Sequence, residues 1–194
     1  MILQLPLPKD IKENLMKSGG ETEILNSINR NCQSTPEALR LLAQLIKEGQ
    51  NDFTALFPTV VHYANYGKRD TRVSAGICIS EFIMYNCDLV YPSFVQVMED
   101  TENDPSDLNA ARAISNLLSL EDEEVAEELI KALYHLSFLF FERNQVHEFR
   151  ETCDWFFIPE KVNVFIDSDN EYLSDIANLF ILTSIRGIIP FEDE

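Results

Sequence analysis

Residues 158–185 read IPEKVNVFIDSDNEYLSDIANLFILTSI, and the order of parts in this stretch decides the fold. Pro159 suits the first turn of a short helix, where the N–H it lacks would have no partner. A polar turn follows at residues 167–170, and apolar residues at helical spacing then run to Ile185. The same order occurs in FPTVVHYANYGKRDTRVSAGICISEFI from Phe57 and in YPSFVQVMEDTENDPSDLNAARAISNLL from Tyr91. Pro58, Pro92 and Pro159 are therefore each expected to open a short helix. Asp70, Asp107 and Asp169 are expected to begin long ones, 12, 15 and 10 residues after those prolines. Spacings that vary in this way suit surface turns. A unit of this kind has an apolar face that only a neighbouring unit can bury, so repetition predicts an all-α stack of helices, a solenoid.

Outward from these units, residues 9–17 and 22–31 are expected to be helical, separated by Gly19 and Gly20. Ser34, Pro36 and Glu37 signal a further helix start, with Leu39, Leu42, Ala43 and Ile46 on one face. EDEEVAEELIKALYHLSFLFFERN from Glu121 predicts one long helix, apolar nearly all round after Leu133, a pattern that belongs at the centre of a core. No helix pair of its own is read before it, so an irregularity is expected there. The division is one domain: capping helices over 1–50, repeat units over 51–187, and an acidic tail over 188–194.

The chain has 194 residues, 45% of them hydrophobic, enough to bury a core and too many for disorder. Its net charge of −18 disfavours a nucleic-acid backbone and an anionic membrane surface. Between Val73 and Ile130, 13 acidic residues face a single base, Arg112. Acids crowd helix starts for dipole reasons alone, and the same bias would attract a basic partner. Cys32, Cys78, Cys87 and Cys153 lack Cys-x-x-Cys spacing, MILQLPLPKD lacks a basic n-region, and no stretch reads as a membrane span. The expected location is intracellular, in cytoplasm or nucleus.

The units resemble armadillo repeats, with HEAT repeats close to them; the resemblance covers residues 51–187 and is best at FFIPEKVNVFIDSDNEYLSDIANLFILTSI. It implies a short armadillo-like α-α superhelix whose third helices line a concave face. In the importin-α branch a Trp and an Asn four residues later grip an extended peptide. The matching positions here are Ile77 with Glu81, Arg112 with Asn116, Lys131 with His135, and Phe180 with Ser184. The Trp is missing throughout and only Asn116 is kept, which argues against nuclear-signal recognition. The resemblance thus implies a partner segment held on Glu81, Arg112, Asn116, Lys131, His135, Phe180 and Ser184.

Catalytic chemistry finds no foothold in the residues. His62, His135 and His147 are too scattered for a zinc site, and no phosphate loop or nucleophile elbow occurs. DSDNEYLSD from Asp167 imitates a calcium loop, but Tyr172 stands where the loop needs Gly, so a turn and helix cap is expected. In the aromatic run 138–157, Phe138, Phe141, Phe149, Phe156 and Phe157 are expected mostly in the core, with Trp155 exposed. The sequence therefore predicts a non-catalytic adaptor without cofactor or metal, binding a protein that is basic. An immunity or inhibitor protein facing a basic toxin or nuclease, and a chaperone nucleotide-exchange factor of armadillo type, are its rivals. Oligomeric state is left open, because solenoid ends expose apolar faces unless capped.

Overall fold

The Ser-Thr-Pro-Glu start at residue 34 opens helix α1, Thr35–Lys47, with Pro36 in its first turn and Leu39, Leu42, Leu45 and Ile46 buried. This is a computed structural model, and it describes residues 24, 26, 28, 34–49, 53–95 and 109–187. Within the described residues there is no strand. Ile24, Asn26 and Ile28 are helical, as expected for 22–31, while the expected helix at 9–17 and the tail at 188–194 lie outside the described residues.

A 3-10 turn at Thr54–Leu56 leads into α2, Phe57–Tyr66, which Pro58 opens as predicted. Helix α3, Arg69–Tyr85, carries Asp70 in its first turn. At Asn86 the chain bends by 113° into α4, Cys87–Val95. Here the expectation fails: Pro92 lies inside α4 instead of opening a helix. Pro92 cannot donate to the carbonyl a turn earlier. Side-chain ties hold α4 in place: Arg143 bonds Asp88 and lies 4.4 Å over the Tyr91 ring, and the Tyr91 hydroxyl donates to Gln145 Oε1 at 2.6 Å.

Helix α5, Ala110–Leu118, is capped by Asn109, whose Oδ1 accepts from the Arg112 N–H at 2.8 Å; Asp107 lies outside the described residues. Asp122 caps α6, Glu123–Glu142. Among the described residues α4 and α5 precede the long helix. Then come α7, Val146–Trp155, and α8, Ile158–Asn163, with Pro159 in its first turn. Finally α9, Glu171–Phe180, starts behind Asn170, whose Oδ1 accepts from the Leu173 N–H at 3.3 Å, and continues as a π turn, Ile181–Ile185. Residues 167–175 are thus the turn and cap that their sequence suggested.

Four of these helices lie side by side in chain order: α1 on α3, α3 on α6, α6 on α9. Their contacts advance in the same sense along each pair. Arg40 Nε donates to Ser74 and Lys47 reaches Glu81. Lys131 reaches the Tyr172 ring and Ser137 meets Ser184. The shorter α2, α5 and α8 form a second row, joined by Asn116 to Asn65 at 2.9 Å and by Lys161 to the Ser115 carbonyl at 3.0 Å. Each long helix after α1 is preceded by a member of the second row. Gly76 lets α3 approach both α5 and α6, since a β-carbon there would stand 2.9 Å from Val125 and 3.2 Å from Leu117.

Between the long helices α6 and α9 and the shorter α4 and α7, Phe94, Phe140, Phe149 and Phe180 form one aromatic cluster with centroids 5.2 to 6.3 Å apart along its contacts. The expectation that α6 is buried all round does not hold. It buries Val125, Leu129, Leu133, Leu136 and Phe140 on one side and exposes Phe138 and Phe141 on the other. A helix in a row has neighbours on its flanks and on one face, and its remaining face meets solvent.

Candidate functional site

On the face of the long-helix row, between α1, α3 and α6, runs a groove of about 450 Å³. Helix α1 supplies Arg40, Gln44 and Lys47, spaced so that all stand on the flank beside its apolar stripe. Helix α3 supplies Ile77 and Glu81, and α6 supplies Glu124 and Glu128. With Glu48, the lining carries four carboxylates against the two bases Arg40 and Lys47.

Glu81 stands at the centre, with a side chain only 13% exposed and Lys47 Nζ at 3.7 Å. Burial raises its carboxyl above the ordinary carboxylate range; Lys47 opposes this shift and Glu128 adds to it. At the rim, Arg40 lies 3.8 Å from Glu124. Lys131 bonds Glu127 at 2.6 Å and Glu128 at 3.1 Å and sits 4.9 Å over the Tyr172 ring, so it links the groove to α9. Burial works to lower the Lys131 ammonium, but its bonds to the two carboxylates outweigh this and leave it above its usual value. Chemically, the groove offers a partly desolvated carboxylate with a long lysine contact, an arrangement suited to receiving a further cation.

Of the residues assigned by resemblance, the structure brings Glu81, Lys131 and His135 to the long-helix row, with His135 exposed. The other four do not join them at its surface. Arg112 and Asn116 belong to α5 in the second row, so the reading of that helix as a third helix is corrected. Arg112 is exposed there, and Asn116 bonds Asn65 while its carbonyl accepts from Arg72 at 2.8 Å. Phe180 is fully buried against Phe149, and Ser184 is buried on Ser137 at 2.9 Å. Neither presents its side chain to a partner.

Arg40, Gln44, Lys47, Glu124 and Glu128 line the groove without standing among the residues that the resemblance implies. Their signal was present as polar residues at i, i+4 and i+7 beside the apolar stripe of α1, and at i, i+4 on α6. Of the aromatic run, Trp155 is exposed as expected and Phe149 is core, but Phe138, Phe141 and Phe157 are exposed, against expectation. Among the described residues no group of three metal-ligating side chains converges, and no single helix is long and apolar enough to cross a membrane. No protein-family model, curated protein or solved structure gives a significant match to this chain.

Proposed function

We propose that this chain is a non-catalytic interaction module, an armadillo-like helical repeat that holds a basic segment of a protein partner along the face of α1, α3, α6 and α9. The observation that carries the reading is the groove centred on Glu81. A carboxylate largely removed from water, among further carboxylates, gains more from an incoming Arg or Lys than an exposed acid would. The same-sense packing of the four long helices supports it, because such a row sets side chains of successive helices next to one another. The net charge of −18 would speed encounter with a basic partner and make it salt-sensitive. Free Cys78, Cys87 and Cys153 fit an intracellular place of action.

The test is purification of the native protein from its own cells at low salt, with a matched high-salt wash. One stoichiometric basic protein, lost on the wash and lost again with Glu81→Gln together with Glu128→Gln, is the expected result. Retention unchanged by the double substitution would reject the groove. Glu123, Glu124, Glu127 and Glu128, clustered on the first two turns of α6, favour a second reading, an inhibitor that covers the active site of a basic toxin or nuclease. Loss of the partner's own activity in the complex would select that reading.

A further inference from the structure

We infer that the corner between α7 and α8 is a cation-docking site, where Trp155, Phe157, Glu151 and Asp154 receive an arginine side chain from a partner protein. These residues line an open concavity of about 640 Å³ and share no member with the Glu81 groove. Both rings are offered to solvent, Trp155 at 60% and Phe157 at 62% exposure. Phe157 adopts φ 57 and ψ 31, a left-handed conformation that glycine takes freely and a residue with a β-carbon does not.

The turn is held from below: Ser115 Oγ donates to the Phe156 carbonyl at 2.6 Å, and Ile158 is fully buried. Burial of the Phe157 ring does not repay the strain, because most of the ring stays in water. What the conformation achieves is a second aromatic surface near Trp155. Glu121 and Asn144, just past the ends of α5 and α6, adopt the same conformation, so the turn itself calls for it, and its consequence at this corner is that the side chain left in water is an aromatic ring.

The lining carboxylates Glu151 and Asp154 are both acidic, and Glu151 Oε1 has His147 Nε2 at 3.2 Å. Aromatic faces attract cations through their quadrupoles, and adjacent carboxylates select a donor that can stack and hydrogen-bond together. A planar guanidinium does both, whereas an ammonium stacks poorly. The net charge of −18 favours a basic partner over an acidic one or an anionic lipid surface.

Trp155 is the chain's one tryptophan, so its emission reports this corner directly. The full chain would be titrated at low salt with a capped five-residue peptide carrying two arginines, and with its citrulline twin, which keeps the shape and removes the charge. A saturable change with the arginine peptide is expected, weaker by about tenfold with citrulline. Asp154→Asn should weaken the arginine peptide similarly. An equal response to both peptides, or no saturable change with either, would overturn the proposal. A blue shift on phosphatidylcholine vesicles without any peptide response would overturn it too, in favour of membrane contact. The citrulline comparison uses the unaltered chain and does not depend on a variant folding.

Discussion

At the scale of single residues, two side chains are held against their own preferences. Glu81 binds its proton more tightly in the folded chain than in the unfolded one, because burial disfavours the charged form. Between the ordinary carboxylate range and its raised value the native state carries more protons, so this group's contribution to stability falls as pH rises through that window. Glu81→Gln should abolish that slope and leave the protein more stable above it. Urea midpoints across the acid-to-neutral range check this; a slope that survives the substitution would place its origin elsewhere. Phe157 is the second case. Phe157→Gly should relieve a left-handed conformation worth about 1–2 kcal/mol, offset by glycine's greater freedom when unfolded, giving a net change of about 1 kcal/mol or less. Loss of a large aromatic from a core would cost several times that, so denaturant melts separate an exposed ring from a structural one.

At the scale of elements, the joint between α2 and α5 depends on Arg72. Its Nε donates to the Ala64 carbonyl at 3.0 Å and its terminal nitrogen to the Asn116 carbonyl at 2.8 Å, so one guanidinium serves carbonyls of both helices. Arg72→Met should destabilise the chain by about 1.5–3 kcal/mol, the range for hydrogen bonds from a charged donor. Arg72→Lys should recover little, because one ammonium lacks the fork that spans the two carbonyls. Chemical denaturation of both variants checks the ordering. Helix-opening prolines, by contrast, are legible in the sequence: Pro58 and Pro159 lie in the first turns they are expected to open, whereas the capping side chain of α9 is Asn170 and not the expected Asp169. Pro92 was not legible, because a proline at a helix start and one inside a short helix are flanked alike. What separates them is whether neighbouring side chains, here Arg143, Tyr91 and Gln145, hold the helix despite its lost bond.

At the scale of the whole molecule, Phe149 joins α4, α6 and α9 through Phe94, Phe140 and Phe180. Phe149→Ala should cost about 3–5 kcal/mol, a large part of the 5–15 kcal/mol that holds a typical domain together. A fall in the thermal midpoint, seen at once by circular dichroism and by Trp155 emission, would show that the helices on both sides of the cluster unfold together. Two separate transitions would mean that the helices on the two sides of the cluster are stabilised independently.

The all-helical class, the first turns opened by Pro36, Pro58 and Pro159, and the apolar stripe of α1 follow from the sequence by itself, because apolar spacing and prolines act within a few residues of one another. Glu81 was legible as a residue of interest, but its groove was not. Arg40, Gln44, Lys47, Glu124 and Glu128 become neighbours of Glu81 only when α1, α3 and α6 lie side by side. Tertiary packing also sent α5 to the second row and Phe180 into the core, and left Phe138, Phe141 and Phe157 in water. Periodicity tells which side of a helix is apolar. Which of those apolar sides finds a neighbour is decided by contacts between helices tens of residues apart in the chain, and no local pattern encodes them.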